Sequence, residues 1–202
     1  LTPTDGTHLG HQDRPGGQGN VESWAAPFVK GTTTVVGVFG DPIAHSLSPP
    51  MHNAAFRYLN LDWVYVPFHV ASDRLAQAVA GVKSMGMAGV NVTVPHKVSI
   101  MAYLDELDEA ARALGAVNTV VHRNGRLIGY NTDGRGFLRS LELEAGVTPK
   151  GRHVVILGAG GAALAIAWAV ADANAASVVV ANRTVEKAEA VAASIDGMTA
   201  AQ

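Results

Sequence analysis

Residues 154–184, VVILGAGGAALAIAWAVADANAASVVVANRT, decide the fold of this chain. The aliphatic run VVIL leads into GAGG at 158–161, and a stretch of small and apolar residues follows as far as Asn174. A second run, SVVVA at 177–181, then ends in NRT. The order strand, glycine turn, helix, strand is that of a parallel βαβ unit, whose crossover helix buries one face of the sheet. The same stretch holds eighteen consecutive uncharged residues, 154–171, which is long enough to cross a bilayer. Gly158, Gly160 and Gly161 interrupt it and much of the rest is Ala, so buried strand, turn and buried helix is the better reading.

A glycine cluster between a strand and a helix has a chemical use. Its backbone comes close to a ligand, and the free N–H groups of the helix start favour a pyrophosphate. Gly158, Ala159, Gly160, Gly161 and Ala162 form that candidate cradle, with Ala163 at the last position of the pattern. Taken alone, such a turn can merely join strand to helix. The next strand adds information, because it ends in Asn182, Arg183 and Thr184. NAD enzymes carry a carboxylate there for the ribose 2′-hydroxyl, whereas an Arg with polar neighbours suits a 2′-phosphate. NADP is therefore the expected cofactor. Lys187, one turn on, is a possible second cation, or an ordinary solvated helix residue.

Working towards the N-terminus, VTPKGRH at 147–153 reads as a domain boundary, and residues 33–148 read as a second α/β unit. The runs at 33–39, 62–70 and 89–94 alternate with helical segments at 50–59 and 72–86, the latter with Ser72 as N-cap. These make a βαβαβ unit with a parallel sheet. AVNTVVHRNGRLIGYNTD supplies two strands about Asn124-Gly125, an antiparallel pair expected at the sheet edge. A helix follows over 133–146. Residues 1–32, rich in Gly, Pro and polar groups, read as a disordered tail without a secretory signal.

Composition narrows the function classes. Fifteen Lys+Arg against 17 Asp+Glu leave a formal charge of -2, which gives no reason to expect nucleic acid or an anionic membrane as partner. The absence of cysteine removes disulfides, thiolate metal sites and cysteine nucleophiles, and it fits a reducing, cytoplasmic location. The eight histidines form no HxH or HExxH arrangement, so no metal is expected. Asn91 and Thr93 share one face of a strand end while Val90, Val92 and Val94 share the other. Open α/β sheets bind ligands at that end. Ser46 and Ser48 share a face if their segment is extended, although Ser48 before Pro49 and Pro50 is also a good helix start.

GDPIAHSLSPPMHNAAF, GVNVTVPHK, GAVNTV, GYNTDGRGF, GAGGAA and ANRT together resemble, in order and spacing, the shikimate dehydrogenases. The resemblance runs from about Thr34 to Ile195. It implies an α/β fold: an N-terminal substrate domain over 33–148, with a mostly parallel sheet, and a partial Rossmann-like NADP-binding domain over 149–202. It also implies reversible reduction of 3-dehydroshikimate to shikimate by NADPH, a step towards chorismate and the aromatic amino acids.

By position, Lys97 and Asp133 match the family's catalytic pair, Lys97 as proton donor and Asp133 orienting it. Ser46, Ser48 and Thr93 would hold the substrate carboxylate, and Asn91 and Asn118 the ring hydroxyls. Thr132 is a candidate substrate contact or the N-cap of the following helix. Lys97 would otherwise be a surface lysine at a helix start, where the dipole disfavours a cation. His96 is given no catalytic role. Leu164 stands where the family has Arg. The family's remaining nucleotide-domain strands and its returning helical segment do not follow, so the chain is expected to be a C-terminally truncated copy, monomeric or homodimeric. The alternatives are a quinate/shikimate dehydrogenase that uses NAD, and an inactive shikimate-binding fragment.

Overall fold

The computed structural model describes residues 29–195 and 198–201. Of the tail expected over 1–32, residues 1–28 lie outside them. At its end Thr32 is engaged, donating its hydroxyl to the Asp62 carboxylate at 2.7 Å beside the same bond from Thr33.

The first unit is a six-stranded sheet. Strand β1 is Thr34–Gly40, followed by α1 Ser48–Tyr58, β2 Trp63–His69, a 3-10 turn Ser72–Arg74, α2 Leu75–Ser84 and β3 Gly89–Val92. A 3-10 helix Ser99–Tyr103, β4 Glu106–Leu107, α3 Glu109–Leu114, β5 Thr119–Arg123, β6 Arg126–Tyr130 and α4 Asp133–Ala145 complete it. Strand order is β2-β1-β3-β5-β6-β4. The first three strands are parallel, as the alternating pattern requires, and β5 and β6 run antiparallel to their neighbours β3 and β5. Asn124 and Gly125 close the hairpin with φ of 52° and 74°, the left-handed pair that matches strand twist.

The hairpin is not the edge. Strand β4 pairs parallel to β6 outside it, and its two residues are too few to show a period. The helix starts also differ from expectation. Residue Ser72 caps nothing, because the 3-10 turn satisfies Arg74 N–H with Ala71 O before α2 begins. In α1, Ser48 is the first helical residue and its N–H donates to Ser46 Oγ at 3.3 Å. Pro49 and Pro50 fall in the first turn, where no N–H is needed. The serine segment is a turn and not extended chain, with Ser46 N–H bonded to Ile43 O.

The second unit holds β7 His153–Leu157, α5 Gly161–Asp172, β8 Ser177–Ala181, α6 Val185–Ala193 and β9 Met198–Ala201. Its strands are parallel in the order β7-β8-β9. Helix α5 ends two residues before the expected Asn174, which adopts φ 61°; Asn tolerates that turn-forming conformation. Strand β9 was not legible as a strand in MTAA, where a single β-branched residue and no alternation mark it.

Each unit has its own core. Phe39, Leu75, Val82, Val90, Val92, Ile100 and Leu127 belong to the first, and Ile156, Ala167, Val170, Val180 and Ala188 to the second. The junction is α4 against α5. Phe137 and Leu138 pack on the second core, and Gly134 lies so close to α5 that an added Cβ would sit 2.6 Å from Ala169 Cβ and 2.7 Å from Ala165 O. Among the described residues no helix is long and apolar enough to cross a membrane.

Candidate active site

The strand directions assemble the site. Because β5 runs against both β3 and β6, its first residues meet the last residues of those two strands. Three loops converge there: the turn after β3 with Lys97, the entry to β5 with Asn118, and the β6–α4 junction with Thr132 and Asp133. Main-chain bonds tie the loops together, from Val117 N to Lys97 O (2.7 Å), Asn118 N to Tyr130 O (3.0 Å) and Val92 N to Asn118 O (2.8 Å).

Lys97 Nζ donates to Asp133 Oδ2 at 2.8 Å, with the two side chains 33% and 37% exposed. That leaves the pair open enough to receive a ligand. The other oxygen, Oδ1, accepts from Asn118 Nδ2 at 2.6 Å. Asn118 Oδ1 in turn accepts from Thr119 Oγ1 (2.9 Å), from Thr132 N (3.1 Å) and from Thr132 Oγ1 (3.1 Å). Thr132 does occupy the cap position of α4, but its hydroxyl serves Asn118 and makes no capping bond. Lys97 precedes a 3-10 helix and no α-helix begins there, so the dipole argument against a cation does not apply.

Asn91 Nδ2 donates to Thr119 Oγ1 (3.1 Å) and Asn118 O (3.3 Å). Asn91 and Thr119 are register partners across β3 and β5. Val90 and Val92 are buried on the opposite face, as alternation predicts. Val94 is 68% exposed and does not join them, since it lies past the strand in the turn closed by His96 N to Thr93 O. Thr93 itself stands one residue beyond β3, its methyl packed over Gly40.

Several residues that the sequence reading missed hold this arrangement. The buried Asn131 accepts from Asp133 N with Oδ1 (3.1 Å) and donates from Nδ2 to Ala116 O (2.9 Å), which fixes the start of α4. Fully buried His96 donates from Nε2 to Val70 O at 2.6 Å, fastening the turn that bears Lys97; its Nδ1 has no hydrogen-bond partner among the described residues. Asn53 on α1 pairs with the backbone N–H and C=O of Tyr65, both at 2.9 Å. Tyr65 donates its hydroxyl to Asn91 Oδ1 at 2.8 Å. Burial pushes the Tyr65 phenol up to about 12, against a smaller opposing effect of a hydrogen bond with the Ser48 side chain. In a run of apolar strand residues Tyr65 reads as a core aromatic, and nothing local in the sequence shows where its hydroxyl goes.

In the second unit, Gly158 has φ 111°, and a Cβ added at Gly158, Gly160 or Gly161 would meet nothing within 4 Å. Gly160 caps α5 without a side-chain bond, so no capping side chain takes the first-turn N–H groups of Gly161 and Ala162. A phosphate group fits this cradle. Leu164 N is already bonded to Gly160 O. At the end of β8, Asn182 Nδ2 donates to Thr184 O (2.8 Å), while Arg183 and Lys187 are exposed on the same rim. No group of His, Asp or Glu among the described residues could hold a metal ion.

Two family models match the chain: the shikimate dehydrogenase substrate binding domain over residues 38–120, and shikimate / quinate 5-dehydrogenase over residues 142–202. The NADP(+) shikimate dehydrogenase of Desulforamulus reducens is 54% identical over 83% of this chain and 57% of its own length. Among solved structures, the Listeria monocytogenes shikimate 5-dehydrogenase in complex with shikimate and NAD is 41% identical, with a TM-score of 0.81 over 86% of this chain and 62% of that one. The ligand-free 5-ketofructose reductase of Gluconobacter sp. strain CHM43 is 43% identical, also with a TM-score of 0.81, over 85% and 63%. The chain thus spans 57% of the length of that curated relative.

Proposed function

Because the chain belongs to the shikimate dehydrogenase family, we propose that it carries out the NADP-dependent interconversion of 3-dehydroshikimate and shikimate. The observation that carries this reading is the bond between Lys97 Nζ and Asp133 Oδ2, with Asn118 on the other carboxylate oxygen. NADPH, when bound, would supply the hydride for the substrate's carbonyl carbon. The carbonyl oxygen gains charge as this happens and needs a proton, the role we assign to Lys97 Nζ. Asp133 keeps the ammonium pointed at that oxygen and accepts from the hydroxyl that forms. In the oxidative direction Lys97 takes the proton back.

Ser46, Ser48 and Thr93 are assigned to the substrate carboxylate, and Asn91, Asn118 and Thr132 to its hydroxyl groups. Gly158, Ala159, Gly160, Gly161 and Ala162 would hold the pyrophosphate, with Asn182, Arg183, Thr184 and Lys187 around the 2′-phosphate. Residues 33–148 would act as the substrate domain and 149–202 as part of the nucleotide domain. A chain without cysteine suits the cytoplasm, as a monomer or a homodimer.

Incubation with shikimate and NADP⁺ tests the reading: NADPH absorbance rises, and Lys97→Met abolishes the rise while the protein still binds shikimate in a calorimeter. Binding without turnover would leave a shikimate-binding domain only, and neither binding nor turnover would refute the assignment. Quinate and 5-ketofructose in parallel assays identify the preferred substrate. Arg183 supports NADP over NAD.

A further inference from the structure

Resting on that reading, we propose that Tyr65 is a positioning and specificity-determining residue, one that orients the Asn91 amide and couples the hydroxyl-binding end of the site to the serine-bearing helix α1. Three observations carry it. The first is the bond from Tyr65 OH to Asn91 Oδ1, which reaches across β1 from the strand on its far side. With Asn91 Nδ2 occupied by Thr119 Oγ1 and Asn118 O, the amide has a single orientation. Its oxygen keeps one lone pair for a ligand hydroxyl. Without the phenol, the amide is held from its nitrogen side alone.

The second joins Tyr65 to α1. Its ring stacks on His52, with centroids 4.2 Å apart and planes 9° apart, and His52 Nδ1 is bonded to Ser48 O at 2.9 Å. Asn53 grips the Tyr65 backbone at both its N–H and its C=O. The helix that carries Ser48 is therefore seated on the residue that orients Asn91. The third is seclusion. Tyr65 is 3% exposed, and its phenol, raised to about 12 by burial, remains a neutral donor throughout the range in which the protein would work.

Tyr65→Phe removes the hydroxyl while retaining the ring stack and the backbone bonds. Calorimetry with shikimate on wild type, Tyr65→Phe, Asn91→Ala and the double variant is the test. The expected results are about fivefold to tenfold weaker binding for Tyr65→Phe, and a double variant no weaker than Asn91→Ala alone, because one hydrogen bond is at stake and it passes through Asn91. In turnover the loss falls on KM, with kcat little changed. A merely structural role would instead weaken binding in the Asn91→Ala background too.

Equal affinity of wild type and Tyr65→Phe overturns the inference while leaving the proposed function standing, and so does a double variant whose losses multiply. A wild type that fails to bind shikimate overturns both. Should Tyr65→Phe not fold, wild-type protein labelled at tyrosine Cζ gives the same decision. Shikimate is expected to shift the signal of buried Tyr65, and Asn91→Ala to abolish that shift. An unmoved Tyr65 signal in a shikimate-bound protein refutes the coupling.

Discussion

Gly134→Ala tests the contact between the two units and its link to the site. Gly134 is the second residue of α4, directly after Asp133. A Cβ there would stand 2.6 Å from Ala169 Cβ and 2.7 Å from Ala165 O, on a helix whose Ala165 and Ala169 are 1% and 2% exposed. Carbon atoms pack at about 3.5–4.0 Å, so α4 must retreat by roughly 1 Å. Overpacking of this kind costs about 1–3 kcal/mol. The helix and unfolded-chain advantages of Ala over Gly return about 0.5–1 kcal/mol.

With the overpacking near the middle of its range, about 2 kcal/mol, the net loss is about 1–1.5 kcal/mol, or roughly 2–6 °C in melting temperature for a chain of this size. Gly136→Ala, two residues along the same helix with nothing within 4 Å of its would-be Cβ, has only the propensity gain and should melt about 1–4 °C higher. Since α4 begins with Asp133, the same retreat moves the carboxylate away from Lys97, and the proposed shikimate turnover should fall about tenfold to a hundredfold. Calorimetric melting of both variants, with steady-state assays, is the measurement. If Gly134→Ala melts at or above wild type, or if the two alanines shift melting in the same direction, α4 and α5 do not meet as described.

Other outcomes follow from the same geometry. If Arg183 holds the 2′-phosphate as proposed, Arg183→Ser should raise KM for NADP⁺ by about tenfold or more and leave KM for NAD⁺ nearly unchanged. Equal effects on both cofactors would remove Arg183 from that role. Asp105 accepts from Leu127 N (2.6 Å) and Lys83 Nζ (2.8 Å), and these contacts hold its carboxyl below the ordinary value of 3.8. A depressed folded-state value stabilises the fold above pH 3.8 and loses that stabilisation as pH falls below it through the lowered value. Asp105→Asn should therefore flatten the acid limb of a stability-against-pH curve, and an unchanged limb would contradict this. Ile100→Ala empties a fully buried position in the first core, just past the Lys97 turn. Denaturant unfolding should show a loss of about 2–5 kcal/mol; under about 1 kcal/mol would mean the site can collapse around the gap.

Much of this was legible in the chain itself because it depends on local rules. The apolar runs at 33–39, 62–70, 89–94, 154–157 and 177–181 read as strands, and Asn124-Gly125 declared its hairpin, since apolar patterning and turn chemistry act within a few residues. Strands β4 and β9 escaped, the one too short and the other too poor in branched residues to carry a period. The serine segment was misjudged for a related reason. Whether Ser46 and Ser48 alternate along an extended chain or wrap a helix start depends on backbone bonds, Ser46 N to Ile43 O and Ser48 N to Ser46 Oγ, that two isolated serines do not announce.

The amino-acid sequence by itself determined the α/β class, the glycine cradle at 158–161, and the motif residues whose resemblance singled out Lys97 and Asp133. Each of these is written in short-range pattern. Only the tertiary structure decided that Lys97 and Asp133, thirty-six residues apart, lie at 2.8 Å, because that distance follows from β5 running antiparallel between β3 and β6. It also decided the partner of the Tyr65 hydroxyl and the closeness of Gly134 to α5. A strand's pattern specifies which faces are apolar; which distant polar groups meet depends on strand order and direction, and those are set by burying all the apolar faces at once.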